Sequence, residues 1–136
     1  MTDIFSPEKR SEIMRKIRSR DTRPELRIKE LLDRLGVGYV YQARVLGWSV
    51  DFLVPSARLV VEYRSCFWHP HGCKYSRVPK SRREYWVPKL ERNLERDRRK
   101  DAELEHAGYR VFVVRDCDFK AKLEELARLV TMHAEA

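Results

Sequence analysis

The chain has 136 residues, enough to bury the core of one domain, and its formal net charge is +8. It contains no run of about 18 apolar residues, which excludes a membrane-spanning helix. The N-terminal residues lack the basic and apolar regions of a secretory signal, so we expect a cytoplasmic protein with no membrane partner. In a reducing compartment, three cysteines are more typical of a metal site than of disulfides.

Positive charge is concentrated in the first part of the chain. Residues 1–100 carry 24 Lys and Arg against 13 Asp and Glu, whereas residues 101–136 carry 5 against 8. Aromatic residues are interleaved with the basic ones, a combination that favours nucleic acid as the partner. The alternative is that the charge serves solubility alone.

The first predicted element is a basic helix within residues 1–21, which begins after Ser6 and is charged on most sides. It is a weak core element and suits contact with a partner. Thr22 and Glu25 have capping-box spacing and open a second helix, which ends at Gly36. Three short strands in a predicted antiparallel meander follow, at residues 37–42, 49–54 and 58–64.

The second half of the chain predicts a helix, a strand and a last helix. Residues 81–84 repeat the capping-box pattern and open a helix that runs to His106, kinked or interrupted early by Pro88. The strand Tyr109–Arg115 returns parallel to a neighbour by a crossover, and the last helix spans residues 119–132. The order predicts an α/β fold in which a mixed four-stranded sheet is flanked by helices.

Four soft ligands form a candidate metal set, Cys66, His71, Cys73 and Cys117. The first three lie within eight residues, and Cys117 follows a strand that we expect beside the third strand. Thiolate and imidazole ligands favour zinc, and four protein ligands leave no open position, so the zinc would be structural. The alternative is buried free cysteines beside a chance histidine.

An acidic pair lies on two neighbouring predicted strands. Asp51 and Glu62 converge if those strands are antiparallel, and carboxylate oxygens are the ligands that magnesium prefers. Such a magnesium ion stabilises charge on a phosphodiester. The alternative is that Asp51 caps a turn and Glu62 forms a salt bridge with Arg64, and both interpretations stay open. Glu62 and Arg64 also have the acid-x-base spacing of many nucleases.

His69 and two aromatic residues lie inside the cysteine segment. His69 is not needed to complete the zinc set, and an acid on the charged stretch at residues 89–100, such as Asp97, would orient it as a base. That stretch otherwise has the pattern of a solvated helix face. Phe67 and Trp68 are either exposed wedges or core rings that fill space under the loop.

Several segments in this order resemble the very short patch repair (Vsr) DNA mismatch endonucleases, from about residue 8 to residue 118. The segments that carry the resemblance are Met14-Arg15-Lys16-Ile17, Arg20-Asp21-Thr22 with Glu25, Asp51-Phe52, Cys66-Phe67-Trp68-His69, Val78-Pro79-Lys80-Ser81, Tyr85-Trp86 and Asn93-Leu94-Glu95-Arg96-Asp97-Arg98-Arg99.

The resemblance implies a restriction-endonuclease-like, PD-(D/E)xK-type fold with catalytic Mg²⁺ and structural Zn²⁺. The implied activity is a nick in one strand of double-stranded DNA, 5′ of the thymine in a T·G mismatch. We accordingly expect one domain, with residues 1–21 contacting DNA and residues 22–133 forming the nuclease core. We also expect a monomer in the bacterial cytoplasm, associated with the nucleoid when acting, and a mismatch-repair accessory protein as a further candidate partner.

The resemblance also implies roles for individual residues. Asp51 would bind magnesium with the backbone carbonyl of Tyr63, Glu25 would hold water of the magnesium shell, and Glu62 is an additional candidate ligand. His69, paired with Asp97, would act on the attacking water, and the four soft ligands would hold zinc. DNA contacts would come from Met14, Phe67 and Trp68 as wedges and from Arg15, Lys16, Arg20, Arg64 and Lys80.

Residues 62–65 depart from the family pattern, which commonly has an apolar residue, a small or polar one, a polar one and glycine at these places. Here Glu62 adds a carboxylate, Arg64 adds charge, and Ser65 replaces the flexible glycine. Two rival functions therefore remain open. One is a catalytically silent, zinc-stapled module that marks mismatches, and the other is a nuclease with broader mismatch or duplex specificity.

Overall fold

The computed structural model describes residues 22–73 and 81–135, so the helix predicted within residues 1–21 lies outside the described part of the chain. The described elements are α1 (Arg23–Arg34), β1 (Val40–Val45), β2 (Trp48–Val54), β3 (Leu59–Arg64), α2 (Arg83–His106), β4 (Arg110–Arg115) and α3 (Phe119–Glu135). Within these residues no helix combines the length and the apolar character needed to cross a membrane.

The four strands form one mixed sheet in the order β1-β2-β3-β4. β1, β2 and β3 are antiparallel neighbours, and β4 pairs parallel with β3 after the crossover through α2. The predicted meander and parallel return are therefore confirmed. β3 has a neighbour on each side and helices over both faces, which is why its first half, Leu59–Val61, is continuously apolar and buried.

Helices cover both faces of the sheet. One core cluster packs α1 and α3 against the first face and includes the fully buried Ile28, Phe52 and Leu126. A smaller cluster on the other face joins Val60 of β3 to Leu104 of α2. Because β3 is clamped from both sides, the residues at its C-terminal end have a fixed position between α1 and α2.

The bounds of β1 and α2 differ from the sequence-based predictions. β1 spans Val40–Val45 and not residues 37–42, so both of its ends are shifted by three residues. α2 begins at Arg83, and Arg82 precedes it in a left-handed conformation without a side-chain cap, so the capping box predicted at residues 81–84 does not form. Both errors lie at element ends, where local sequence patterns carry the least information.

Two other predicted features take a different form. α2 continues through Pro88 to His106, so the predicted interruption is wrong; this proline lies in the second turn, where it removes a backbone donor. The side chains of Thr22 and Glu25 bond each other, with Oγ1 donating to Oε1 at 2.7 Å, but Thr22 does not cap the helix backbone. This bond helps to fix the direction of the Glu25 carboxylate.

A residue with a left-handed backbone conformation lies in the β1–β2 hairpin at the point where the side chains of β2 change from one face of the sheet to the other. Gln42 has a φ of 51° and lies opposite Asp51, between two regular pairs of the ladder. Phe52 packs in the first core cluster, whereas Val50, only two residues earlier, packs in the second. Since residues two apart on a regular strand share a face, β2 changes face at Asp51. This position lets the Asp51 carboxylate reach the end of β3.

Candidate active site and metal cluster

The ends of two parallel strands bring distant cysteines together. β3 and β4 pair in register to their last residues, so both strands end at the same edge of the sheet. Cys66 follows β3 by two residues, and Cys117 follows β4 by two residues. Asp116 ties the two segments together, because its carboxylate accepts hydrogen bonds from the Cys66 amide at 3.1 Å and from the Tyr63 hydroxyl.

The four predicted soft ligands meet in one cluster. One donor atom from each of Cys66, His71, Cys73 and Cys117 lies within 4.8 Å of all the others. His71 Nε2 is 3.4 Å from Cys66 Sγ and 3.4 Å from Cys117 Sγ. Tetrahedral zinc, with bonds of about 2.3 Å to sulfur and 2.0 Å to nitrogen, requires S···N separations of about 3.5 Å, so the donors fit this ion.

Burial and mutual contact raise the pKa of two cysteines in this cluster. Burial is the main reason that the pKa of Cys66 is raised to about 12, and the neighbouring Cys73 and Cys117 raise it further. The pKa of the exposed Cys117 is raised as well, by partial desolvation and by the neighbouring Cys73. Grouped thiols of this kind become thiolates in the field of a bound metal ion, which is how such ligands bind.

Two adjoining clefts meet at the C-terminal end of β3, and both have Asp51, Tyr63 and His69 in their walls. The aromatic cleft, of about 710 Å³, extends from these residues towards Glu25 and the rings that follow Cys66. The charged cleft, of about 470 Å³, extends towards Lys100 on α2. The three shared residues would therefore contact a substrate bound in either cleft.

Asp51 and Glu25 are held by hydrogen bonds within the aromatic cleft. The Tyr63 amide donates to Asp51 Oδ2 at 2.7 Å, which joins β2 to the end of β3. The buried Glu25 accepts bonds from Thr22 Oγ1 at 2.7 Å and from the Tyr41 hydroxyl at 2.8 Å, one on each carboxylate oxygen. Because a carboxylate has about four acceptor positions, both acids keep capacity for a cation or for water.

Electrostatics at Asp51 suit a divalent cation. Burial raises the pKa of Asp51 to about 7, with further raising by the negative charges of Glu62 and Glu25; the Tyr63 amide and Lys100 act in the opposite direction. A carboxylate cluster in which the acids repel one another is relieved by a cation. Oxygen ligands of this type are those that magnesium prefers, so the residues fit the predicted ion.

His69 and Asp97 form a pair across the clefts. His69 Nδ1 lies 2.5 Å from Asp97 Oδ2. Burial alone would raise the pKa of Asp97, but the bond to His69 and the nearby charges of Arg64 and Lys100 lower it. An ionised carboxylate only accepts hydrogen bonds, so Nδ1 carries a proton, and in the neutral ring Nε2 is the acceptor nitrogen.

Glu62 and Arg64 reach the site but pair with α2 and not with each other. Glu62 Oε1 contacts Lys100 Nζ. Arg64 donates to both carboxylate oxygens of Asp101, at 2.8 and 2.6 Å, and its Nε lies 4.0 Å from Asp97. Arg64 is 4% exposed, so the structure places it under the site and not on the surface where a DNA contact was expected.

An aromatic group borders the aromatic cleft. Phe67 and Trp68 are half-buried, with ring centroids 5.1 Å apart, and Trp86 of α2 packs on both at 5.4 and 5.6 Å. The Trp68 carbonyl accepts a bond from Asn93 at 3.0 Å, which fixes the loop on α2. The two rings are therefore neither fully buried core nor free of packing, and each keeps an accessible part.

Other predicted DNA contacts fall outside the described residues, namely Met14, Arg15, Lys16, Arg20 and Lys80. Within the described residues, Lys100 and Asp101 were not predicted from the sequence, although a signal for them exists. Asp97, Lys100 and Asp101 share one helix face with the fully buried Leu104, at i, i+3, i+4 and i+7 spacing. The interpretation of residues 89–100 as a solvated helix face is therefore wrong for Asp97 and Lys100.

Comparisons with known proteins agree on one family. The family profile described as DNA mismatch endonuclease Vsr matches residues 2–75. The type II nicking enzyme V.XorIIP of Xanthomonas oryzae pv. oryzae is 45% identical over 118 residues, which are 87% of this chain and 87% of that enzyme. DNA mismatch endonuclease Vsr of Escherichia coli is 38% identical over 122 residues, which are 90% of this chain and 78% of that enzyme.

A solved structure supports the fold. The catalytic domain of the homing endonuclease I-Bth0305I matches with a TM-score of 0.55 and 24% sequence identity, over 83% of this chain and 98% of that domain. Identity at this level shows a shared fold. Together with the observed sheet, it confirms the endonuclease-like α/β class predicted from the sequence.

Proposed function

This chain belongs to the Vsr family of DNA mismatch endonucleases and is a DNA endonuclease, and we propose that it nicks one strand 5′ of the mispaired thymine in a T·G mismatch. The observation that carries the proposal is the meeting of Asp51, Glu25 and His69 in one cleft beside two aromatic rings, with His69 bonded to Asp97. The relatives named as nicking enzymes and as a mismatch endonuclease support a single-strand cut at a mispair.

Magnesium is the proposed cofactor of the cleft. Asp51 and the backbone carbonyl of Tyr63 would hold it, with Glu25 placed to orient water around it. When bound, magnesium stabilises the negative charge that develops on the phosphate. Asp51 suits this role because its acidic neighbours leave local negative charge to be neutralised. Glu62 lies next to this set, but its carboxylate already contacts Lys100.

His69 is the proposed general base. Asp97 fixes the ring through Nδ1, so Nε2 keeps a lone pair that can accept a proton from the attacking water. The positive charge that forms on the ring is stabilised by the ionised Asp97, whose pKa is lowered by the same bond. Arg64 steadies Asp97 from beneath, since its Nε is 4.0 Å from Asp97 Oδ1.

The aromatic rings are the proposed mismatch probe. Phe67, Trp68 and, from the segment outside the described residues, Met14 would insert beside the mispaired step. Opening a step costs a few kcal/mol, which stacking on the rings offsets, and the cost is smaller at a poorly stacked T·G pair than at a matched pair. The remaining predicted basic contacts, Arg15, Lys16, Arg20 and Lys80, would bind phosphates.

Zinc is the proposed ion of the cysteine cluster, in a structural role. With all four ligands supplied by the chain, no position is left for substrate. The site would hold the loop of Phe67 and Trp68 rigid, so that stacking energy is not lost to ordering the loop. We further propose that the chain acts as a monomer, that residues 22–133 form its nuclease core, and that a mismatch-repair accessory protein assists it.

The test is a strand-resolved cleavage assay. A duplex with one T·G pair, labelled on each strand in turn, is incubated with the protein and Mg²⁺ beside an identical T·A duplex. We expect one nick, in the thymine strand and 5′ of the mispaired base, and no cut in the T·A duplex. Binding of the T·G duplex without cleavage would instead establish a silent mismatch-binding module, and cutting of both duplexes would establish a broader nuclease.

A further inference from the structure

The contact between Lys100 and Glu62 crosses from α2 to β3 at the edge of the active site. Lys100 Nζ contacts Glu62 Oε1 and also donates to the Ser49 carbonyl at 2.6 Å, on the strand that carries Asp51. The two side chains are only 12% and 7% exposed. An ammonium group has three donors, so two of the three are committed to groups next to the proposed magnesium ligand.

The charges around Asp51 show what this contact does. Three carboxylates line the two clefts that meet at Asp51, those of Glu25, Asp51 and Glu62, and Lys100 lines the charged cleft in contact with Glu62. Arg64 is engaged by Asp101 and Asp97. One ammonium cancels one carboxylate, which leaves a charge of about −2 for a cation to neutralise, the charge of one divalent ion.

We propose that Lys100 is a positioning residue that keeps Glu62 out of the metal-binding set, so that the active site binds one divalent cation where a free Glu62 would support a second or a tighter one. The inference rests on the proposed magnesium site at Asp51. The ammonium group of Lys100 then occupies the place beside Glu62 that a metal ion would otherwise take.

The experiment counts bound metal in the zinc-replete full-length protein without DNA. Mn²⁺, which prefers the same oxygen ligands as Mg²⁺, is titrated while its free concentration is followed by electron paramagnetic resonance. The variants are Lys100→Met, Glu62→Gln, the double variant of both, and Asp51→Asn. The double variant is the matched control, because it removes the ammonium without leaving an unpaired buried carboxylate.

The expected result is one Mn²⁺ per wild-type chain, with binding weakened at least about tenfold in Asp51→Asn. Glu62→Gln should weaken binding less, by about two- to fivefold, because it leaves the Lys100 ammonium without its carboxylate beside the site. Lys100→Met should gain a second ion or bind at least about tenfold more tightly, and the double variant should return to the wild-type value. A purely structural ion pair would change melting temperatures but not this pattern.

Three results would overturn the inference, each in a distinguishable way. Glu62→Gln weakening Mn²⁺ as much as Asp51→Asn would make Glu62 a ligand already in the wild type. A folded Lys100→Met with wild-type binding would leave Lys100 a structural role only. If that variant fails to fold, the double variant decides, because it should bind Mn²⁺ more tightly than Glu62→Gln; equal binding in these two would overturn the inference. Wild-type binding in Asp51→Asn would remove the proposed magnesium site itself, and the inference with it.

Discussion

The cysteine cluster and the carboxylate cluster both form at the C-terminal end of β3, yet they differ in how their donors are supplied. The cysteine cluster takes four ligands from two segments that follow neighbouring strands, and its donor atoms already lie within 4.8 Å of one another. The carboxylate cluster consists of Glu25, Asp51 and Glu62, which lie on α1, β2 and β3, and it opens into two clefts. A closed donor set stabilises structure, whereas an open one leaves room for a substrate.

The two clusters are joined by a short bridge. Asp116 accepts from the Tyr63 hydroxyl on the cleft side and from the Cys66 amide on the cysteine side. Disturbance of the cysteine cluster should therefore reach the cleft, whereas removal of a cleft carboxylate should leave the cysteine cluster intact. The variants below test this difference between the two clusters.

Cys117→Ser should have the largest effect on stability. It removes one of four ligands from the proposed zinc site, and in zinc-finger peptides such a site contributes roughly 10–16 kcal/mol of apparent binding energy. We expect loss of zinc and a melting temperature lower by at least about 10 °C, measured by elemental analysis and calorimetry. Wild-type protein stripped of zinc is the control and should melt at the same temperature as the variant. Full zinc content with unchanged melting would show that the cluster is not a structural metal site.

Asp51→Ala should have the largest effect on catalysis alone. The change removes the carboxylate that would hold magnesium, so single-turnover nicking should fall about 1,000-fold or more. Zinc content, melting temperature and T·G affinity should stay near wild type. Asp33→Ala, which removes an exposed acid bonded to Tyr39, is the matched control and should nick normally. Near-normal nicking by Asp51→Ala would mean that the active site lies elsewhere.

Asp97→Asn should lower nicking by about 100-fold, because an amide no longer fixes the tautomer of His69 or stabilises its charged form. Asp101→Asn is the control for this change. Asp101 accepts hydrogen bonds from the same Arg64, but the carboxylate bonded to His69 is that of Asp97. Loss of Asp101 should therefore lower the melting temperature more than the nicking rate. Equal rate losses in the two variants would assign Asp97 to the ion-pair network and not to His69.

Trp68→Ala should have the smallest effect, on recognition. Stacking of one base on an aromatic ring contributes about 1–3 kcal/mol, so T·G affinity should fall by about 5- to 150-fold. The melting temperature should drop only slightly, because the ring is half-buried against Phe67 and Trp86. Tyr109→Ala, at the opposite end of the sheet, is the control for loss of a half-buried ring. Intact mismatch preference with a large drop in melting temperature would identify Trp68 as a core residue.

The sequence predicted the cysteine cluster well because its information is local. Cys66, His71 and Cys73 lie in one loop, and only Cys117 depends on the pairing of β3 with β4, which the crossover through α2 made predictable. Asp51 and Glu62 were likewise brought together by a meander that short connections indicate. Periodicity and connection length were sufficient for these features.

What the sequence did not predict depends on contacts between distant elements. Nothing in a charged helix says that Lys100 turns towards Glu62, or that Arg64 is buried under Asp101, until α2 is placed on the sheet. The left-handed conformation of Gln42, which turns β2 over at Asp51, is equally invisible, since only surrounding structure selects that conformation for a residue other than glycine.

The most direct test of the account separates the two metal requirements within one sample. Zinc-replete protein is bound to a T·G duplex without magnesium, magnesium is then added, and both nicked product and protein-bound zinc are measured over time. The account predicts no product before the addition, a nick in the thymine strand after it, and one zinc per chain throughout. Nicking at full rate before magnesium is added would contradict it.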